Sequence, residues 1–204
     1  MNALRPDLAL ICDWIEPHSR ILDLGCGDGA LLAHLTRERG IHGYGLEIDP
    51  ANVAACVASG VNVIQADLND GLRDFASDSF DYVVMTQALQ ALARPDLLVA
   101  EMLRVGRQAI VTFPNFGHWR VRGAIGLCGR MPITPALPAE WYETQNIHLC
   151  TVADFEDLCH SQRWQIRSRR LLDRSHREGL RIRLAPNLFS EVALYRLQAP
   201  GAAP

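Results

Sequence analysis

Ile21-Leu22-Asp23-Leu24-Gly25-Cys26-Gly27-Asp28-Gly29-Ala30-Leu31 is the stretch that decides how this chain is read. An apolar run ends in three glycines at alternate positions, and a leucine-rich helical pattern (Ala30, Leu31, Leu32, Leu35) begins at once. The pattern predicts a strand, a tight turn bare of side chains, and a helix whose free N–H groups face whatever lies above the turn. Glycine there lets a ligand touch the backbone. A nucleotide-like ligand is the natural guest.

Two ligand classes compete for that turn. Gly25-x-Gly27-x-x-Ala30 satisfies the dinucleotide fingerprint, and Glu47 stands at about the 20-residue offset of a ribose-binding acid. The carboxylates separate the two. Asp23 precedes the first glycine by two residues, and Asp28 lies inside the loop. A pyrophosphate on this turn would meet both negative charges, unfavourable by several kcal/mol at about 4 Å in a low effective dielectric. S-adenosylmethionine (SAM) presents a sulfonium and an ammonium instead, and an acid at the strand end suits both.

The following segments agree. His42-Gly43-Tyr44-Gly45-Leu46-Glu47-Ile48 reads as a second strand ending in an acid able to accept both ribose hydroxyls. Val63-Ile64-Gln65-Ala66-Asp67-Leu68 reads as a third, with Asp67 placed for the adenine amino group, and Phe80-Asp81-Tyr82-Val83-Val84-Met85-Thr86 as a fourth. Acids at successive strand ends suit the ligand crevice of an open α/β sheet. The competing role for Glu47 and Asp67 is to cap the helices that follow.

Over roughly residues 15–115 the chain resembles the class I SAM-dependent methyltransferases. The resemblance rests on the Asp-x-Gly-x-Gly-x-Gly turn, the acids after strands two and three, and the Phe-Asp-x-Val start of strand four. It implies that Asp23, Gly25 and Gly27 line the methionine portion of SAM or S-adenosylhomocysteine, with Cys26 beside them. Glu47 and Ile48 would meet the ribose, Asp67 and Leu68 the adenine, and Gln87 would lie close to the cofactor. On this reading Asp23→Ala and Glu47→Ala abolish SAM binding and leave the fold intact.

Strand and helix patterns alternate along the chain, which predicts an α/β, doubly wound, mostly parallel seven-stranded sheet of the Rossmann-like class I methyltransferase type. Helices are expected at about 8–14, 29–39, 50–59 and 95–104, with a fifth strand at 108–113. Thr151-Val152-Ala153-Asp154 opens a later helix with a Ser/Thr-x-x-acid cap. Residues 164–172 and 189–197 suit the last two strands. A length of 204 residues fits one SAM-binding domain over 1–204, enough to bury ~70% of the unfolded surface. Residues 199–204 read as a frayed tail.

Composition narrows the classes. No apolar run approaches the ~20 residues that cross a bilayer, and the N-terminus lacks a signal-peptide order, so a cytoplasmic protein away from membranes is expected. The six cysteines show no paired spacing and read as reduced thiols. All 20 basic residues are arginine, which excludes a Schiff-base or P-loop lysine. A net charge of −3 gives no general pull toward nucleic acid, and the arginines between 163 and 183 read as a solvated strand face or an acidic-partner contact. His148, Cys150, Cys159 and His160 fit no zinc spacing, and no metal is expected.

The segment from Pro114 to Cys150 reads as an irregular insert rich in proline and aromatics, leaving strand five beside the cofactor. Trp119 and Trp141 either form a lid or plug the domain's own core. Pro-Asn-Phe-Gly-His-Trp (114–119), Gly-Arg-Met-Pro (129–132) and Glu-Trp-Tyr-x-Thr-x-Asn-Ile-His-Leu-Cys (140–150) resemble the MetW family of methionine biosynthesis proteins. That resemblance implies a SAM-fold protein working with homoserine O-acyltransferase. One departure is visible: Val105-Gly106-Arg107-Gln108 replaces the Pro-Gly-Gly-type turn common before strand five in methyltransferases.

Catalysis is not written in the residues. After strand four come Gln87-Ala88-Leu89-Gln90, all neutral where a base is expected. His118 and His148 are the remaining base candidates, with Tyr142 behind them, and no catalytic residue is assigned. Two functions follow: a SAM-binding protein that adjusts the acyltransferase by docking on it, or a methyltransferase acting on a small molecule.

Overall fold

The computed structural model describes residues 5–134, 137–140, 143–144 and 147–201. Seven strands form one sheet: β1 Arg20–Leu24, β2 His42–Glu47, β3 Val63–Gln65, β4 Phe80–Thr86, β5 Gly106–Pro114, β6 Gln165–Leu172 and β7 Val192–Gln198. Their order is β3-β2-β1-β4-β5-β7-β6. The first five pair in parallel, and β7 runs antiparallel to both β5 and β6. The chain winds outward from β1 through β2 to β3, then returns to lay β4 on the other side of β1. That reversal makes the β1/β4 boundary the topological switch point, where such sheets open a crevice at their C-terminal edge.

Helices cover both faces. They are α1 Pro6–Cys12, α2 Ala30–Arg39, α3 Pro50–Ala58, α4 Pro95–Val105, α5 Trp119–Cys128, α6 Val152–Ser161, α7 Leu180–Leu184 and α8 Pro186–Phe189. Period-two alternation splits the strands between two cores. Leu22, Leu24, Val83, Met85, Val111 and Phe113 pack with the apolar sides of α4 and α6. Ile21, Tyr82, Val84 and Ile110 pack with Leu8 and Ile11 of α1 and Leu31, Leu32 and Leu35 of α2. Asp23 alternates with Leu22 and Leu24, so it shares the α1/α2 side with Ile21.

Local chemistry sets the boundaries. Gly40 ends α2 in the left-handed conformation, and prolines open α1, α3, α4 and α8. Thr151 and Asp154 form the reciprocal cap of α6 that their spacing predicts.

Two expectations are corrected. The stretch after Pro114 is not wholly irregular, because Trp119–Cys128 forms a ten-residue helix. Its sequence hides this, since two glycines and a single buried residue, Val121, leave no apolar stripe to read. The third strand stops at Gln65, and Asp67 and Leu68 belong to a short 3₁₀ turn over Leu68–Asp70. Pro135, Trp141, Tyr142 and Asn146 lie outside the described residues, so the expectations for Trp141 and Tyr142 fall there too.

Candidate functional site

The glycine turn is built as its sequence predicts. Gly25, Gly27 and Gly29 all take positive φ (67°, 56° and 76°), a conformation that costs other residues strain. The turn hangs on β2, where the Leu46 carbonyl accepts from the amides of Gly25 (2.8 Å) and Cys26 (3.1 Å). Asp28 Oδ1 then accepts from the Ala30 amide at 3.1 Å, closing the entrance to α2. A crevice of about 720 Å³ opens at this point, with Asp23, Gly25, Cys26, Gly27 and Thr86 in its wall. It is therefore at the switch point.

Asp23 dominates the crevice electrostatically. Its side chain is 1% exposed and its Oδ1 has no hydrogen-bond partner among the described residues. Burial, then the nearby charge of Glu47, push its pKa up to about 7, while the positive charge of Arg5 pulls it partly back. A buried carboxylate without a partner is expensive to keep. A cationic ligand would supply what the protein withholds.

Glu47 is held differently. Its Oε2 accepts from the Gly27 amide (2.8 Å), and its Oε1 accepts from the amides of Ile48 and Asp49 (both 2.9 Å). The acid thus clamps the glycine turn onto the end of β2. Capping of α3 falls to Asp49, whose side chain accepts from the Ala51 amide at 2.9 Å. Ile48 is exposed beside the clamp.

The remaining expected contacts divide. Leu68 and Ala88 flank Gly25 closely enough that a Cβ there would lie 3.8 and 3.4 Å from them, so the bare backbone forms a floor between two apolar walls. Asp67 accepts through Oδ1 from both the backbone and side-chain amides of Asn69 (each 2.9 Å) and so caps its own turn. Gln87 does not line the crevice; its Nε2 donates to Asp7 Oδ2 of α1 at 3.2 Å. Its backbone sits at φ 58°, a strained position for a non-glycine residue, directly after the crevice-lining Thr86.

Cys26 contributes its backbone to the turn, while its thiol packs beneath. The Cys26 and Cys56 sulfurs lie 3.8 Å apart, and the Cys56 thiol donates to the Gly27 carbonyl at 3.1 Å. Burial raises both thiol pKa values, so neither is a reactive thiolate. Gly45 of β2 makes room for this arrangement: a Cβ there would overlap the Cys26 sulfur and lie 3.0 Å from Cys26 Cβ. We expect Gly45→Ala to lose about 1–3 kcal/mol of stability in urea denaturation, because the turn must shift to accept one methyl group.

Neither histidine of the post-β5 segment reaches the crevice. His118 is buried, caps α5 by accepting from the Arg120 amide (3.4 Å), and faces Glu191 at 3.8 Å. Burial holds its pKa below the usual histidine value. His148 is exposed and lies 3.2 Å from the Ala93 carbonyl. Trp119 is half exposed, with the Arg120 guanidinium 5.4 Å from its ring, so it does not plug the core. Among the described residues no group of three or more His, Cys, Asp or Glu side chains is arranged to hold a metal ion. No helix among them is long and apolar enough to cross a membrane. On β6, Arg169 pairs with Glu156 (2.7 Å) and Arg170 with Asp13 (3.9 Å).

Sequence reading missed the α1 contribution. Arg5 and Leu8 join the crevice wall, as do His34 and Arg37 of α2. Spacing could not reveal Arg5 and Leu8, because the Asp7–Gln87 contact joins residues 80 positions apart.

The sheet order, the switch-point crevice and the glycine turn define a protein with the SAM-dependent methyltransferase fold. A solved S-adenosylmethionine dependent methyltransferase from Mesorhizobium loti matches with a TM-score of 0.67 at 19% identity, over 95% of this chain and 97% of that one. The family model described as methionine biosynthesis protein MetW matches residues 5–197, and the chain belongs to that family. A bifunctional methionine biosynthesis protein MetXA/MetW from Rhodopirellula baltica is 39% identical over 164 residues. A ubiquinone biosynthesis O-methyltransferase from Hahella chejuensis is 26% identical over 155 residues. These matches cover 76% and 66% of this chain, but only 26% of the first relative and 65% of the second.

Proposed function

We propose that this protein binds SAM or S-adenosylhomocysteine at the β1/β4 crevice and acts in methionine biosynthesis by docking on homoserine O-acyltransferase and adjusting its activity. The observation that carries the ligand reading is Asp23, a buried carboxylate lining the crevice with an unpartnered oxygen. Asp23 would take the ammonium of the ligand, Glu47 the ribose hydroxyls, and Leu68 with Asp67 the adenine. SAM supplies an electrophilic methyl group when bound. The residues here bind and orient, and no catalytic base is assigned among them. The MetXA/MetW relative, a bifunctional chain, supports the acyltransferase as partner.

Two measurements test this. Calorimetry is expected to show saturable SAM binding, and size-exclusion chromatography with purified homoserine O-acyltransferase is expected to show a complex. Absence of both sinks the proposal. The second reading, methyl transfer to a small acceptor, draws on the similarity to the O-methyltransferase relative. Incubation with radiolabelled SAM, pathway metabolites and cell extract separates the two, because only the second reading moves label out of SAM.

A further inference from the structure

The crevice wall carries three basic side chains, Arg5, His34 and Arg37. Two of them occupy each other on α2: Arg37 Nη2 lies 3.3 Å from His34 Nδ1, and its Nε donates to Glu38 at 2.7 Å. Arg5 differs in place and in company. It precedes α1, is about half exposed, and donates through Nη2 to Asp7 Oδ2 at 3.3 Å.

Asp7 fixes where that guanidinium sits. It is 2% exposed, and the same Oδ2 accepts from Gln87 Nε2 at 3.2 Å. Gln87 is itself pinned, because its backbone amide donates to the Thr112 carbonyl of β5 at 2.9 Å. One buried carboxylate therefore ties the residue before α1 to the residue after β4. The Arg5 cation is held at the β1/β4 end of the crevice, near enough to Asp23 to offset part of its charge.

The amino-acid end of the proposed ligand must lie at that same end. With adenine at the β3 turn and ribose at Glu47 of β2, the strand order β3-β2-β1-β4 leaves β1 and β4 for the methionine portion. That portion is a zwitterion. Asp23 answers its ammonium, but Asp23, Asp28 and Glu47 all repel its carboxylate. A planar guanidinium is the side chain best matched to a carboxylate, and Arg5 has further N–H groups beyond the one given to Asp7.

We infer that Arg5 receives the α-carboxylate of the adenosyl ligand, with Asp7 as the positioning residue that holds the guanidinium over the β1/β4 gap. The inference rests on the SAM-binding reading above. It makes the segment before β1 part of the ligand site and gives the site a means to tell an amino acid from an amine.

The test is a binding cycle by calorimetry. Wild type, Arg5→Gln and Arg5→Lys are each titrated with SAM and with decarboxylated SAM, which keeps the sulfonium and the amine and lacks only the carboxylate. Wild type is expected to prefer SAM by about 10–100-fold, the range for hydrogen bonds between charged groups. Arg5→Gln should lose that preference by weakening SAM alone. Arg5→Lys should keep part of it. Equal weakening of both compounds by Arg5→Gln would overturn the inference, since Arg5 would then act only by moderating Asp23. So would a wild type that binds both compounds equally. A wild type that binds neither would overturn the SAM reading itself, and this inference with it.

Discussion

Asp23→Asn is expected to raise stability above neutral pH while weakening SAM binding by at least about 100-fold, or roughly 2.7 kcal/mol. In the folded protein Asp23 is buried without a partner for Oδ1, and its pKa stands at about 7 against an ordinary 3.8. The folded state therefore holds a proton that the unfolded chain has released. Its contribution is complete below pH 3.8 and is lost as pH rises through 7. The rise from 3.8 to about 7 corresponds to at most about 4 kcal/mol, so a gain of about 2–4 kcal/mol is expected for the neutral isostere at pH 8 and almost none at pH 4. Denaturation in urea at both pH values, with calorimetry on the same samples, reads both effects. A variant that binds SAM normally would remove Asp23 from the ligand site. Glu47→Ala is not its equivalent: that carboxylate accepts three backbone amides, so its loss costs fold stability as well as the proposed ribose contact. The expectation that both alanine variants leave the fold intact is thus narrowed to Asp23.

Asn115→Asp changes little more than one atom of the side chain and is expected to cost about 3–5 kcal/mol. The Asn115 side chain is 2% exposed where β5 ends. Its Nδ2 donates to the carbonyls of Asn187 (3.0 Å) and Ser190 (2.8 Å), and reaches Ser190 Oγ at 3.2 Å. Its Oδ1 accepts from the amides of Gly117 (2.9 Å) and Val152 (3.2 Å). The residue thereby ties the exit of β5 to the start of α6 and the end of α8. Aspartate keeps the acceptor side but turns a second anionic oxygen onto two carbonyls, a buried repulsion that the Ser190 hydroxyl can relieve only by giving up its bond to the Pro186 carbonyl. Urea denaturation at pH 7 measures the loss. A change below about 1 kcal/mol would mean that the amide is not the hub of this junction.

Much of the architecture was legible because strand burial leaves plain marks. Ile21 to Leu24, Phe80 to Thr86 and Ala109 to Phe113 are nearly continuous buried runs, as central parallel strands require. The third strand was overread because its residues are half exposed at the sheet edge, where alternation fades and the chain can leave after three residues. α5 was missed for want of an apolar face, and the short helices α7 and α8 after Gly179 carry too few residues for a period. At the site, the turn and Asp23 could be read because they adjoin in sequence, whereas folding turns Glu47 to clamping the turn and Asp67 to capping its own. The side chain of Gln87 could not, since a carboxylate 80 positions earlier draws it toward α1. Arg5 escaped for the same reason: only folding brings it to the crevice.

The placing of β7 between β5 and β6 has a consequence for biosynthesis on the ribosome. Until residues 192–198 emerge, β5 presents an unpaired row of amides and carbonyls beside a newly made apolar surface, and β6 has no neighbour to join it to the sheet. The nascent chain can assemble the half that carries the glycine turn and crevice early. It stays prone to intermolecular strand pairing until its closing segment slides into the gap.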